Sequence, residues 1–168
     1  SNLLIISANG SAMAIAYGSS GSQENFVRLM NEEVKNILGS QGQSYFQNAS
    51  GLTDTEDRYR HADDKNRKQR STAGELSRLM AYFMADSGFR SFLSQAGVMS
   101  DTYANFHKFG ITQAAGSTVV AQFRLPLLCG SKRLVMAIFG RTYQSSEAPR
   151  NQIDDFRLLM KEVENAVR

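Results

Sequence analysis

The chain has one cysteine, Cys129, in 168 residues, which excludes an internal disulfide and a cysteine-rich zinc site. Within the apolar stretch PLLC it reads as a small buried filler. No apolar run approaches the roughly 20 residues that a membrane-spanning helix needs. The sequence opens on SNLLIIS, with no basic leader and no cleavage site within it, and is expected to be processed, truncated or cytosolic. A zinc H-E-x-x-H, a G-x-x-x-x-G-K-[ST] phosphate loop and a G-x-S-x-G nucleophile elbow are all missing, so no metal site is expected. Of the two histidines, His61 lies in a charged stretch and reads as a surface residue. His107 stands beside Lys108, and neither has a carboxylate orienter or nucleophile near it in sequence. The net charge of +3 and pI near 9.1 come from scattered basic residues rather than an aromatic-bearing stripe, which argues against a nucleic-acid partner.

What is present is globular. Hydrophobic residues make up 42% and charged residues 21%, enough for one domain over residues 1–168. SQENFVRLMNEEVKNILG reads as a helix, with Val27, Met30, Val34 and Ile37 on one face, Ser22 as N-cap and Gly39 as stop. Its other face, Arg28, Glu32 and Lys35, is expected to be wet. From Gly39 to Arg70 the chain is polar and reads as a long exposed loop, with residues 53–70 densely charged and almost without aliphatic side chains. Thr72-Ala73-Gly74-Glu75 has the form of a capping box opening a helix with Leu76, Leu79, Met80 and Phe83 at helical spacing. Asp86-Ser87-Gly88 breaks that helix, and FRSFLSQ reads as one more short helical piece.

From Tyr103 the period changes to two. Val119, Ala121, Phe123 and Leu125 share one strand face, and Gln122 and Arg124 the other. KRLVMAIFGRTY is apolar on both faces and predicts an inner strand, reached through a turn at Cys129-Gly130-Ser131. A closing helix is predicted from the stripe Ile153, Phe156, Met160, Val163 and Val167. Antiparallel strands crossed by a helix imply an α+β layer fold. The N-terminal LLIISANGSAMAIAYG fits either a hairpin centred on Ala8-Asn9-Gly10 or a helix after a polar turn, and periodicity alone leaves both open.

Two short signals carry chemistry: Ser7-Ala8-Asn9 between apolar segments, and Lys108-Phe109-Gly110 at the start of a strand. In this order, with the flanking segments FQNASGL, STAGELSRLMAYFM, KFGITQAAG and RLVMAIFGRT, the chain resembles the serine-type D-alanyl-D-alanine carboxypeptidases. These are low-molecular-weight penicillin-binding proteins that arrange S-x-x-K, S-x-N and K-T-G around one cleft. The resemblance implies the C-terminal part of a β-lactamase/penicillin-binding-protein-like catalytic domain: a partial α+β domain, with an antiparallel sheet packed by helices. It also implies that Leu3–Ile6 ends one helix and Gly10–Tyr17 starts another. By resemblance Ser7 relays protons, Asn9 orients the substrate amide or a lysine, and Lys108 supplies positive charge and helps hold Ser7 across the cleft. Phe109, Gly110 and Thr112 fall at substrate-binding positions of the strand, where glycine leaves room for a peptide to lie along the edge. The implied substrates are peptidoglycan peptides ending in D-Ala-D-Ala, with β-lactams as ligands of a complete domain. No cofactor is implied, and the location is periplasmic or cell-surface.

Three features depart from the family pattern. No serine has a lysine three positions later, so the nucleophile is expected upstream of Ser1 and the fragment alone to be inactive. Phe109 replaces a hydroxyl residue, and Ser146 stands where the family often carries an arginine, with Arg141 and Arg150 nearby. These departures keep two alternatives open: a catalytically degenerate binding module of the same fold, or a profilin- or GAF-like regulatory module built on the N-terminal hairpin.

Overall fold

Helices α1 (Asn2–Ile5) and α2 (Asn9–Ser20) flank Ser7 and Ala8 in the computed structural model of the chain. It describes residues 2–52, 69–95, 104–112, 116–127, 130–141, 158–163 and 165–166. A helix through Gly10–Tyr17 overturns the hairpin, and with it the profilin- or GAF-like module. Ala12, Met13 and Ala16 are buried along α2, at a spacing that only a helix brings to one side. Gly21 ends α2 at φ 79°, a left-handed conformation that glycine adopts without a Cβ penalty, and its N–H reaches the Tyr17 carbonyl at 2.9 Å.

Helix α3 (Gln23–Leu38) begins where expected: the Ser22 hydroxyl accepts from the Asn25 N–H at 3.1 Å. It packs on α2 and buries Val27 completely. The face with Arg28 and Glu32 is solvated, and those two side chains pair at 2.8 Å one turn apart. Val34 and Leu38 form a core with Leu79 of helix α4 (Ala73–Ala85), joined by Ile37, Phe46 and Leu76.

Two expectations need correction here. The segment after Gly39 is not an exposed loop throughout, because Tyr45, Gln47 and Asn48 are buried. Its polar backbone is anchored instead of solvated. The Asn31 amide donates to the Phe46 carbonyl at 2.7 Å and accepts from the Phe46 N–H at 2.8 Å, and Tyr45 and Arg70 exchange two backbone hydrogen bonds of 2.9 Å. Residues 53–68 lie outside the described residues. The capping box is also only half made. Thr72 Oγ1 accepts from the Glu75 N–H at 3.1 Å, but the Glu75 carboxylate turns away to accept from the Gln43 N–H at 2.7 Å and the Ser44 hydroxyl at 2.5 Å. Those donors hold its pKa below the ordinary 4.5.

The chain forms two compact units, Ser1–Tyr82 and Phe83–Arg168. In the second, Asp86 caps helix α5 (Ser87–Gln95) by accepting from the Phe89 N–H at 2.6 Å. Arg90 reaches back to the Met84 and Ala85 carbonyls at 2.6 and 2.7 Å, covering acceptors that the end of α4 leaves open. Strands β1 (Ala104–Thr112), β2 (Gly116–Leu127) and β3 (Gly130–Arg141) follow as an antiparallel sheet in the order β1-β2-β3. The central strand is therefore β2, and among the described strands the apolar β3 is an edge rather than the predicted inner strand. Its residues 134–139 are accordingly half-buried, whereas Val119, Ala121 and Phe123 of β2 are buried. Met160, in helical residues 158–163, packs on Ala121 and Phe123 together with Leu134, Met136 and Val163, so the closing helix covers this face. Cys129, Ile153, Phe156 and Val167 lie outside the described residues.

Candidate active site

The two candidate motifs belong to different units. In the first, Ser7 has φ 53°, and it is the one non-glycine residue with positive φ among those described. An L-residue in this region stores strain of order 1–3 kcal/mol, which the surrounding structure must overcome. Such conformations concentrate where a side chain has to be aimed. The N-cap of α2 is Ala8, which has no side-chain acceptor, so the helix starts without a capping side chain although serine and asparagine stand on either side. Both Ser7 and Asn9 are exposed, with Asn9 as the first residue of α2.

In the second unit, strand register sorts the KFG motif by face. Lys108 pairs with Val120 and Gly110 with Thr118, while His107 and Phe109 pair with Ala121 and Val119 on the other side. The latter is the face that Met160 covers. The rings of His107 and Phe109 meet edge to face, their centroids 4.9 Å apart. Phe109 thus contributes its bulk to the packed face, and Lys108 and Gly110 present themselves on the opposite one. Thr112 pairs with Gly116 at the end of the strand.

Lys108 is half-buried, and its Nζ donates to the Phe109 carbonyl at 2.8 Å. Burial disfavours the charged ammonium and lowers its pKa from the ordinary 10.5. A lysine in that state gives up its proton more readily than a solvated one, and while protonated its charge acts through a less polar medium. Gly110 has a tighter constraint than the open edge expected of it. A Cβ there would stand 2.9 Å from Thr118 Oγ1, whose hydroxyl donates to the Gly110 carbonyl at 3.2 Å. The sequence contains no cue for Thr118, because its role follows from cross-strand register alone. Ser146 and Arg150 lie outside the described residues, and Arg141 closes β3 opposite Ser117. Among the described residues no group of three His, Cys, Asp or Glu side chains is placed to hold a metal ion.

The chain belongs to the D-alanyl-D-alanine carboxypeptidase family, whose model matches residues 1–126 and so takes in both Ser7-Ala8-Asn9 and Lys108-Phe109-Gly110. Among solved structures it is similar to a D-alanyl-D-alanine carboxypeptidase from Mycobacterium tuberculosis H37Rv, at 24% identity and a TM-score of 0.62. That match covers 84% of this chain and 54% of the other. It is also similar to an evolved penicillin-binding protein homolog from Mycobacterium tuberculosis, at 21% identity and a TM-score of 0.63, over 94% of this chain and 62% of the other. At these identities the likeness establishes the fold. The chain spans between half and two thirds of the length of these relatives. No curated protein sequence matches it.

Proposed function

We propose that the chain is the C-terminal portion of one serine D-alanyl-D-alanine carboxypeptidase domain acting on peptidoglycan stem peptides outside the cytoplasm. The observation that carries this reading is the family match running continuously through both motifs, in which Ser7 is strained and Lys108 is desolvated. Among the described residues no helix is long and apolar enough to cross a membrane.

The reaction is acyl transfer. A serine hydroxyl attacks the carbonyl of the penultimate D-Ala, its proton passes to a base, and the C–N bond to the terminal D-Ala breaks as the leaving amine takes up a proton. Water then hydrolyses the ester. No Ser-x-x-Lys occurs in this sequence, so on this reading the nucleophile is supplied from outside it. Ser7 relays the proton to the leaving amine, Asn9 orients the peptide amide, and Lys108 stabilises developing negative charge. The Phe109 backbone, Gly110 and Thr112 line the strand along which the peptide lies. Because Phe109 brings no hydroxyl to the substrate carboxylate, it favours a second reading, a relative that binds the peptide or a β-lactam with little turnover.

The test is acylation of the complete protein by a fluorescent penicillin, together with D-Ala release from a D-Ala-D-Ala peptide. Acylation with release supports the enzyme, and acylation without release supports the binding relative. A complete protein that does neither refutes both. Ser7→Ala and Lys108→Ala should each slow acylation at least tenfold while leaving the melting temperature near that of the parent.

A further inference from the structure

Between Asp101 and Glu147 the sequence contains no Asp or Glu at all, although Lys108, Arg124, Lys132, Arg133 and Arg141 fall within it. This interval supplies all three strands, so the sheet is built from a stretch with uncompensated positive charge. Towards the connection between β2 and β3 the register sets Arg124 directly opposite Arg133, with Leu125 opposite Lys132 at the next position. Side chains of directly opposed residues start about 4.5–5.5 Å apart at Cβ and share one face. Both arginines are exposed, and neither has an ion-pair partner among the described residues.

Like charges in this relation repel, and a sheet ordinarily avoids them or interposes an acid. An anion held between the two guanidiniums reverses the sign. Each guanidinium presents a planar fork of N–H donors, and two forks side by side offer paired donors to separate oxygens of one tetrahedral oxyanion. Arginine suits this better than lysine because its donors are fixed in direction and its charge is weakly hydrated. The site lies within the second unit and uses no residue of the proposed reaction.

We propose that Arg124 and Arg133 form a binding site for a phosphate group, the anchor of this hairpin to a phosphate-bearing ligand. The chemistry is common to a phospholipid headgroup and to free phosphate, and the experiment separates them. The complete protein is titrated with inorganic phosphate by calorimetry and sedimented with vesicles of phosphatidylglycerol or of phosphatidylcholine. Arg124→Gln/Arg133→Gln is compared with Arg28→Gln/Arg78→Gln, which removes the same charge from exposed helix positions.

Sedimentation with phosphatidylglycerol alone, reduced roughly tenfold or more by the β-strand pair and less than about twofold by the helix pair, assigns the headgroup. Saturable binding of inorganic phosphate with the same pattern of loss assigns free phosphate. The proposal is overturned if neither probe binds, if phosphatidylcholine is bound equally, or if the two double variants lose binding alike. Both arginines are exposed, so unchanged circular dichroism and melting in the variants are the expected controls. Penicillin acylation should be unaffected, which keeps this test separate from that of the proposed reaction.

Discussion

Replacing Glu75 tests how the first unit holds the segment after α3. Its carboxylate accepts from the Gln43 N–H at 2.7 Å and from the Ser44 hydroxyl at 2.5 Å, and it lies in the first turn of α4, where a negative charge also meets the helix dipole. Hydrogen bonds to a charged group are worth about 1.5–3 kcal/mol each, but this site is only partly buried, so water and screening place the total near 2 kcal/mol. Glu75→Ala should therefore lower the melting temperature by roughly 4–8 °C at neutral pH, taking about 2–4 °C per kcal/mol for a chain of this size. Glu75→Gln keeps the shape and loses the charge, and should give about half that effect. The pH dependence has a definite sign. The folded pKa is lowered from 4.5, so the stabilisation is fully present above that value and disappears as pH falls through the folded value. The gap between parent and Glu75→Gln, followed by thermal melting from pH 7 downward, should narrow below 4.5. A gap that stays constant into strong acid, or a Glu75→Ala variant that melts with the parent at neutral pH, would show that the carboxylate does not anchor the segment.

Asn31→Ala should cost about 2–4 kcal/mol in chemical denaturation, because it strips a partner from both the N–H and the carbonyl of Phe46, each part-buried. Gly110→Ala places a Cβ 2.9 Å from Thr118 Oγ1 and should destabilise by about 1–3 kcal/mol. Adding Thr118→Ala should recover most of that loss in thermal melting if the clash is the cause. Lys108→Met removes a charge that burial disfavours. Because the folded pKa lies below 10.5, the unfolded chain binds the extra proton in the window beneath that value, and the parent should gain stability there as pH rises. The Met variant should be more stable at neutral pH and lack that alkaline rise in denaturant melts.

The local elements were written plainly in the sequence. Ser22 and Gly39 bracket α3 because capping chemistry is local, and the alternation of Val119, Ala121 and Phe123 marks the buried face of β2 because side chains in a strand alternate. Met160 and Val163 keep the spacing of a helix that covers that face. The two motifs were legible as short signals with a family resemblance, and the family match runs through both. Pairings between distant segments were not legible. Glu75 satisfies the local rule for a capping box, yet its carboxylate is taken by donors 31 and 32 residues away, which a local rule cannot weigh. The buried Tyr45, Gln47 and Asn48 lie in a segment whose composition reads as exposed, because Asn31 supplies backbone partners that composition does not reveal. Only register set Arg124 against Arg133 and Gly110 against Thr118, and put Phe109 rather than Lys108 opposite the buried Val119. Side-chain alternation is a property of one strand, but which residue lies opposite depends on how two strands are aligned. Only folding decided the left-handed backbone of Ser7, since serine has no intrinsic preference for that conformation.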